Sequence, residues 1–516
     1  GPGGRRIAAA RPLDHLPMNA TSHRPSAASA VFAARGSASS RPRSWPRAAL
    51  GLALAAALAG CAVGPAYRPV VVDAPSAWKE APAVDGWLPA APADGLERGP
   101  WWQRFGDAGL DALAERVRID NPGIAVAVAN YAQAQALVRE QQATLFPAVS
   151  LSGANSRSGT RGESNARGTA SATVGASWAP DVWGRLRLAV GSAQAQAQAS
   201  QADLASARLS ALGSLASNYF QLREADAELA LLAATLEGYE RSLAIARNRY
   251  EAGIAAQSDV LQAQTLLVNT RADRVAVQRS RDTLEHAIAV LVGAAPASFR
   301  LPVAAAPWTP TVPAVPLGVP STLLQRRPDI AAAERDMAAA NAQIGIQRAA
   351  YFPSIGLSAS LGRSATSVSD LFSAAGTLWS FGLSATQVLF DAGAIAARVE
   401  AARASYDAVT ASYRRTVLAA FQGVEDQLSA TASLAQQEAL RREASAAADR
   451  TEQQILNRYR AGQVSYTEVV TAQASALNAR RTVLQVQVAR QVAAVGLIQE
   501  LGGGWEASSL AVPTSP

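Results

Sequence analysis

At 516 residues, 49% hydrophobic and 17% charged, the chain is long enough for several domains, and its formal charge of +7 invites a nucleic-acid reading. That charge belongs to the first 60 residues, with eight arginines and one aspartate; the remainder balances 39 basic against 39 acidic residues, so the electrostatic case for nucleic acid fails. One cysteine, one histidine beyond the first 60 residues (His286) and no Walker or Rossmann glycine pattern leave no metal cluster, Cys/His nucleophile or nucleotide cofactor to expect, and no enzyme.

Residues 1–60 read as a leader. Arg35, Arg41, Arg43 and Arg47 precede an apolar run, Ala48 to Gly60, that is too short to span a bilayer as a helix. The run ends in Leu58-Ala59-Gly60-Cys61, which resembles the lipobox of bacterial lipoproteins. The resemblance implies cleavage before Cys61 and acylation of its sulfur and new amino group, with palmitate-like chains anchoring at roughly 0.8 kcal/mol per buried methylene. A plain signal peptide with an incidental cysteine is the alternative. Residue 62 is Ala, not the Asp that sorting rules associate with inner-membrane retention.

Residues 61–108, rich in Pro, Ala and Trp, predict an extended N-terminal arm. A first repeat follows over 109–295. Leu110 to Val117 reads as helix, and Asn121-Pro122-Gly123-Ile124 opens a longer helix to about Leu145, with proline in its first turn. After Phe146-Pro147 the period changes to that of a strand: Ala170 to Trp178 alternates small polar and apolar residues, and Val149 to Gly153 does so more weakly. A proline-free stretch from Pro180 to Pro296 then holds a helix of about 65 residues, Arg185 to Tyr250, and a returning helix over 258–292. Leu215, Tyr219, Leu222, Ala225, Leu229, Leu232, Leu236, Tyr239, Leu243, Ala246 and Tyr250 form a coiled-coil seam along the longer one.

Residues 296–327 predict an extended Pro-rich linker. The second repeat, 328–503, restates the first at an offset of 206, growing to 209: Arg327-Pro328 before a helix, Phe352-Pro353 before strands at Ser354 to Gly362 and Phe381 to Ala385, then helices from about Ala394 to Tyr459 and over 467–501. Residues 504–516 are a tail. The strands fall within 148–178 and 354–390, with connections at 155–168 and 363–378. Half-apolar strands of this length suit a transmembrane barrel, and a soluble sheet on a core is the other reading. Four strands cannot close a barrel, and lipid does not tolerate open edges, so several chains must contribute.

The clearest repeat is Arg249-Tyr250-Glu251-Ala252-Gly253, restated as Arg458-Tyr459-Arg460-Ala461-Gly462. Each copy ends a long helix in a glycine turn. Asp259 and Glu468 stand six residues beyond their glycines, in the first turns of the returning helices. A carboxylate there is favoured by the helix dipole at roughly 0.3–1 kcal/mol, so capping is one reading of both; a ring of like charges in an oligomer is the other. The glycines likewise read either as turn-makers alone or as part of a contact surface.

The chain as a whole resembles the outer-membrane factors of tripartite efflux pumps, the TolC-like family, in its lipoprotein (NodT/OprM-type) branch. The lipobox, Trp101-Trp102 with Phe105-Gly106-Asp107, Asn121-Pro122, the two Phe-Pro pairs, Asp181-Val182-Trp183-Gly184, Leu389-Phe390-Asp391-Ala392-Gly393 and the doubled Arg-Tyr-x-Ala-Gly carry the likeness. It implies a mainly α, internally duplicated fold: a long coiled-coil α-helical barrel continuous with a transmembrane β-barrel of four strands per chain, completed by trimerisation. It implies a passive exit duct for drugs or other small molecules, seated in the outer membrane with a long periplasmic extension and a role in antibiotic resistance. Its implied partners are two further copies, outer-membrane lipid, a periplasmic adaptor (membrane fusion protein) and an RND-type inner-membrane pump. A type I protein-secretion duct has the same fold, and a periplasmic coiled-coil scaffold lipoprotein without a pore is the rival from another class. The resemblance puts Arg249, Tyr250, Gly253, Arg458, Tyr459 and Gly462 at adaptor-contacting tips and Asp259 and Glu468 at the channel gate. Val464 occupies the position of the family's basic gate partner, which tells against a salt-bridged latch.

Overall fold

The computed structural model describes residues 63–503 apart from 71, 81–99, 160–166, 304–307, 314, 316–325 and 373–376. Cys61, the leader and the tail lie outside the described residues. After a 3-10 turn at Trp101–Phe105 come α1 (Ala108–Asp120), α2 (Pro122–Ala143), β1 (Ala148–Ser158), β2 (Arg167–Trp178), α3 (Arg185–Glu251) and α4 (Gln257–Leu291). The second half supplies α5 (Pro328–Arg348), β3 (Ser354–Ala365), β4 (Thr377–Thr386), α6 (Ala394–Arg460) and α7 (Tyr466–Glu500). The long helices α3 and α6 both have 67 residues, about 100 Å, and the returning helices α4 and α7 both have 35.

The strands form one antiparallel sheet in the order β1-β2-β3-β4. They run farther than the alternation predicts, taking in Asn155 to Ser158 and Arg363 to Ala365, because backbone pairing continues after the apolar pattern stops. Register puts Leu151 opposite Val174, Val174 opposite Leu361, and Leu361 opposite Trp379. The same face carries Phe381 and Leu383, and Leu151, Leu361, Trp379, Phe381 and Leu383 are all more than half exposed. The opposite face is mostly Ser, Thr and Gly, with Leu378 near one end, and there Ser360 and Ser380 share a hydrogen bond of 2.8 Å. An apolar face left to the surroundings and a small polar face behind it is the pattern of a sheet whose solvent on one side is lipid. Among the described residues, the outer edges of β1 and β4 have no strand beside them.

Aromatic residues join sheet to helices. Trp178 Nε1 donates to the Leu145 carbonyl at 2.9 Å, Trp183 Nε1 to the Pro353 carbonyl at 2.7 Å, and Trp183 stacks on Phe352 at 4.9 Å. Both long helices leave the sheet through a left-handed glycine, Gly184 and Gly393, and an aspartate just upstream caps each. Asp181 accepts from the Leu186 and Arg187 amides, and Asp391 from the Gly393 and Ile395 amides. The seam of α3 is buried as its spacing predicts, except that Leu229 is half-buried and Tyr250 is 45% exposed. Each buried Leu in it contributes about 1.5–3 kcal/mol of transfer free energy.

The main core lies midway along the helices, where Trp101, Trp102 and Phe105 pack with Leu110, Leu215 and Phe220, and with Val417 and Val424 of α6. Asp107 caps α1 and accepts a 2.8 Å bond from the Tyr219 hydroxyl, which ties this belt to α3. The duplication reaches into the capping. Asn121 caps α2 and donates to the Leu291 carbonyl that ends α4; Arg327, before α5, donates to the Glu500 carbonyl that ends α7. Described parts of the linker are fastened to both hairpins. Arg281, buried between Asp226 (2.7 Å) and Glu285 (2.8 Å), donates to the Leu301 carbonyl, and Gln491 donates to that of Thr311. Those two carboxylates offset the cost of burying the guanidinium.

Over its described residues between 63 and 80 the arm descends along this frame without helix or strand. Val63 bonds to the Trp183 carbonyl beside the sheet, Asn341 donates to the Pro65 carbonyl, and farther on Trp78 is buried against Phe421. The amides of Lys79 and Glu80 close the run on the Glu425 carboxylate.

Candidate functional site at the hairpin tips

The ends of α3 and α6 farthest from the sheet turn by the same device. Gly253 and Gly462 take φ of 73° and 76°. At the first, the Ile254 amide reaches the Arg249 carbonyl (2.8 Å) and the Gly253 amide that of Tyr250 (2.9 Å); at the second, Gln463 reaches Arg458 and Gly462 reaches Tyr459, both at 2.9 Å. This double bond pattern closes a helix only when the residue after its cap is left-handed, hence glycine. No atom lies within 4 Å of a Cβ built on Gly253, so backbone angle, and not space, is what that glycine supplies.

The two tips differ in what surrounds their tyrosines. Tyr459 is 3% exposed, edge-on to Tyr466 at 5.1 Å, in an apolar cluster with Leu236, Tyr239, Leu243 and Val469. Tyr250, its repeat partner, faces out. Arg249 crosses from the first hairpin to the second: its guanidinium lies 4.8 Å over the Tyr459 ring and donates to the Tyr459 carbonyl at 3.2 Å. Arg458, its counterpart, is exposed. The structure thus brings Arg249 and Tyr459 together and keeps Arg458 and Tyr250 apart from them.

The two carboxylates also part company. Glu468 completes a capping box with Ser465, accepting from the Ser465 amide at 3.3 Å at the start of α7. Asp259 holds the same position in α4, but Ala256 stands where Ser465 does, so no reciprocal side-chain cap forms. Asp259 is half-buried and sits close enough to add to the upward push on two hydroxyls. Burial first, then Tyr459 and Asp259, raise the Tyr466 hydroxyl to about 12; burial and Asp259 also raise that of Tyr459. Val464 packs against the apolar cluster of Tyr459 and Tyr466, which accounts for a side chain there without charge.

Tyr466 and Arg481 escaped the sequence reading. Tyr466 hides at a first helical position, and its only signal was an aromatic residue just after a glycine turn. Arg481 bonds Glu228 (2.5 Å) and reaches Asp273 (3.4 Å) across the repeats; its counterpart is Ala272, so the repeat pattern pointed away from it. Beside the tips, Ser258, Leu261, Gln262, Thr265, Asn269 and Val470 line an open groove of about 440 Å³ between α4 and α7. Among the described residues no three metal-ligating side chains converge, and no helix is long and apolar enough to cross a membrane.

The sequence matches the family described as outer membrane efflux protein over residues 113–294 and 319–503. It is 32% identical to the probable efflux pump outer membrane protein TtgC of Pseudomonas putida, across 86% of this chain and 92% of that one. It is 29% identical to the outer membrane protein OprJ of Pseudomonas aeruginosa, across 83% and 91%. Among solved structures it resembles the outer-membrane channel OprN, with 31% identity and a TM-score of 0.75 over 86% of this chain and all of that one. The open-state MtrE channel of Neisseria gonorrhoeae matches with 26% identity and a TM-score of 0.76 over 87% and 99%.

Proposed function

The chain belongs to the outer membrane efflux protein family, and on that premise we propose that it is the trimeric, lipid-anchored exit duct of a tripartite RND-type pump. It is an outer-membrane efflux channel and not an enzyme: it moves cargo passively, and the energy for export comes from the pump behind it. The observation that carries the finer reading is the sheet, with one apolar face, two unpaired edges and two helices of about 100 Å leaving its base. Twelve strands from three copies would close the edges and continue into a ring of helical hairpins. The connections after β1 and β3 then face outside the cell, at the end of the sheet away from the helices.

Lipid anchoring at Cys61 is supported by the position of Val63. Two residues beyond the cysteine, it sits at the helix-side base of the sheet, beside Trp183, within reach of the inner lipid leaflet. In this reading the tips at Gly253 and Gly462 meet the periplasmic adaptor, with the groove between α4 and α7 as its seat. Asp259 forms an acidic ring at the closed inner end of the channel, and Glu468 contributes charge there while capping its helix.

Single-channel recording of the purified protein in planar bilayers tests the reading. A low, closed-tip conductance with cation preference is expected, together with a trimer in native mass measurement. A stable monomer that conducts nothing would identify the pore-less scaffold instead.

A further inference from the structure

A groove at the other end of the helices, beside the sheet, has no part in the tips. Val63 of the arm, Arg348, Tyr351 and Phe352 at the end of α5, and Glu400 and Arg403 of α6 line an open cavity of about 680 Å³. Its volume is that of a small-ligand site, roughly 300–1,000 Å³. Its height is fixed by the sheet. Phe352, two residues before β3, stacks on Trp183; the Val63 amide donates to the Trp183 carbonyl; and Gln387, just past β4, donates to the Tyr351 carbonyl at 3.2 Å. The groove therefore opens where the apolar face of the sheet gives way to helix, with exposed Tyr351 at the boundary. In a membrane-embedded sheet that is the level of the headgroups, where amphipathic aromatic rings collect.

The fold does not demand the charges in this groove. At the matching places of the first repeat, Gln142, Leu145, Gly191 and Gln194 stand for Arg348, Tyr351, Glu400 and Arg403. The chain does not use the charges internally either. Among the described residues no hydrogen bond or ion pair holds Arg348, Glu400 or Arg403, although Glu400 and Arg403 are three residues apart on one helix face, a spacing at which opposite charges often pair. Arg348 is half-buried and the other two are exposed. Two guanidinium groups and one carboxylate thus line one cavity with their bonding capacity unspent.

We propose that this groove binds an inner-leaflet phospholipid by its phosphoethanolamine headgroup, with Arg348 and Arg403 on the phosphate and Glu400 on the ammonium. This rests on the reading that the sheet lies in the membrane and adds a particular lipid to it. Charge complementarity selects the headgroup. Guanidinium groups offer planar pairs of donors to phosphate oxygens, and basic pockets at a membrane boundary are suited to phosphate headgroups. The carboxylate narrows the choice further. Glu400 accepts from an ammonium N–H, which phosphoglycerol lacks and which the methyl groups of choline replace. The acyl chains leave past Tyr351 and Phe352 toward the apolar face of the sheet. Bound in this way, the lipid bridges α5 and α6 where they meet the membrane.

Native mass measurement tests this on the full-length protein, delipidated in detergent and titrated with dioleoyl phosphatidylethanolamine or dioleoyl phosphatidylglycerol. Phosphatidylethanolamine should bind at one lipid per chain, about tenfold more tightly than phosphatidylglycerol. R348Q/R403Q should lose about tenfold or more of that affinity at an unchanged melting temperature, since neither arginine has a partner to lose. E400Q should bring the two lipids within about threefold of each other. R398Q, which removes a charge from α6 outside the groove, should bind as wild type does. Equal binding of both lipids by the wild type, or phosphatidylethanolamine held undiminished by R348Q/R403Q, overturns the site. Binding by C61A but not by wild type overturns it too, because the groove is then the seat of the chain's own acyl anchor. A wild type that conducts in bilayers yet shows no lipid preference loses this site and keeps the duct reading. One that neither conducts nor enters bilayers loses both.

Discussion

Arg249 lies 4.8 Å over the ring of Tyr459 and donates to the same residue's carbonyl, so one side chain from the first repeat both covers and caps the last turn of the second repeat's long helix. The contact joins two copies of one motif, by unlike members. A stacked guanidinium contributes about 0.5–2 kcal/mol and its hydrogen bond about 1 kcal/mol more. R249A is therefore expected to shift the closed tip toward open by about tenfold, read as raised conductance. R249K, which keeps the charge but loses the planar fork, should fall between the two.

The carboxylates at the tip should separate experimentally. E468A removes half of a capping box and should cost about 0.5–2 kcal/mol of stability, seen as a lowered melting temperature. D259A has no such cap to lose. It should reduce cation selectivity and block by multivalent cations while leaving the melting temperature nearly unchanged. Equal effects of the two on selectivity would assign both to the ring.

Gly253 and Gly462 should tolerate alanine poorly for reasons of backbone alone. Left-handed φ costs a non-glycine residue about 1 kcal/mol or more, and valine more than alanine because its β-branch is stiffer. G253A and G462A should lower thermal stability by similar amounts, since their φ values differ by only three degrees. If G253A also abolishes cross-linking to the adaptor in a protein whose melting point is otherwise restored, the turn is part of the docking surface.

Glu224 gives the helical region a pH dependence. Burial, then the charge of Glu228, push its carboxyl from 4.5 up to about 7. The unfolded chain ionises first, so this group's contribution to stability is full below about 4.5 and is lost as pH rises through about 7. The melting temperature of E224Q should accordingly fall less than that of wild type between those limits. A steeper fall in the variant would mean that Glu224 is ionised in the folded protein throughout.

Cys61→Ala should remove about the mass of three acyl chains from the mature protein and weaken membrane retention of unassembled chains. Assembled trimers should stay in the membrane on the apolar face of their strands. Intact-mass measurement of wild type showing an unmodified cysteine would contradict the anchor.

Much of this molecule could be read from its sequence because its long elements are written in strong periods. Proline gaps located α3 and α6, and the shift to alternation after each Phe-Pro located the strands. The glycine turns were legible because left-handed backbone restricts the residue type so narrowly. What joins the repeats was harder to read. Arg249 was visible as part of a motif, yet its target lies 210 residues away on the other copy, and nothing local distinguishes a latching arginine from exposed Arg458. Asp259 and Glu468 looked alike at matched positions; only Ser465 against Ala256, three residues upstream of each, separates a capped carboxylate from an uncapped one.

The equal lengths of the hairpins, 67 and 35 residues in both repeats, keep the two tips at one height. One inserted residue in α3 would lower its tip by 1.5 Å and swing every later side chain by about 100° about the axis. In the proposed trimer the rim of hairpin tips would no longer be level. The tips stay level only when both hairpins receive the same number of residues. The offset between the halves grows from 206 to 209 between the start of the strands and the glycines that open the long helices. The extra length lies in the connections between strands, eight residues after β1 against eleven after β3, whereas the two hairpins are equal from those glycines to the tip.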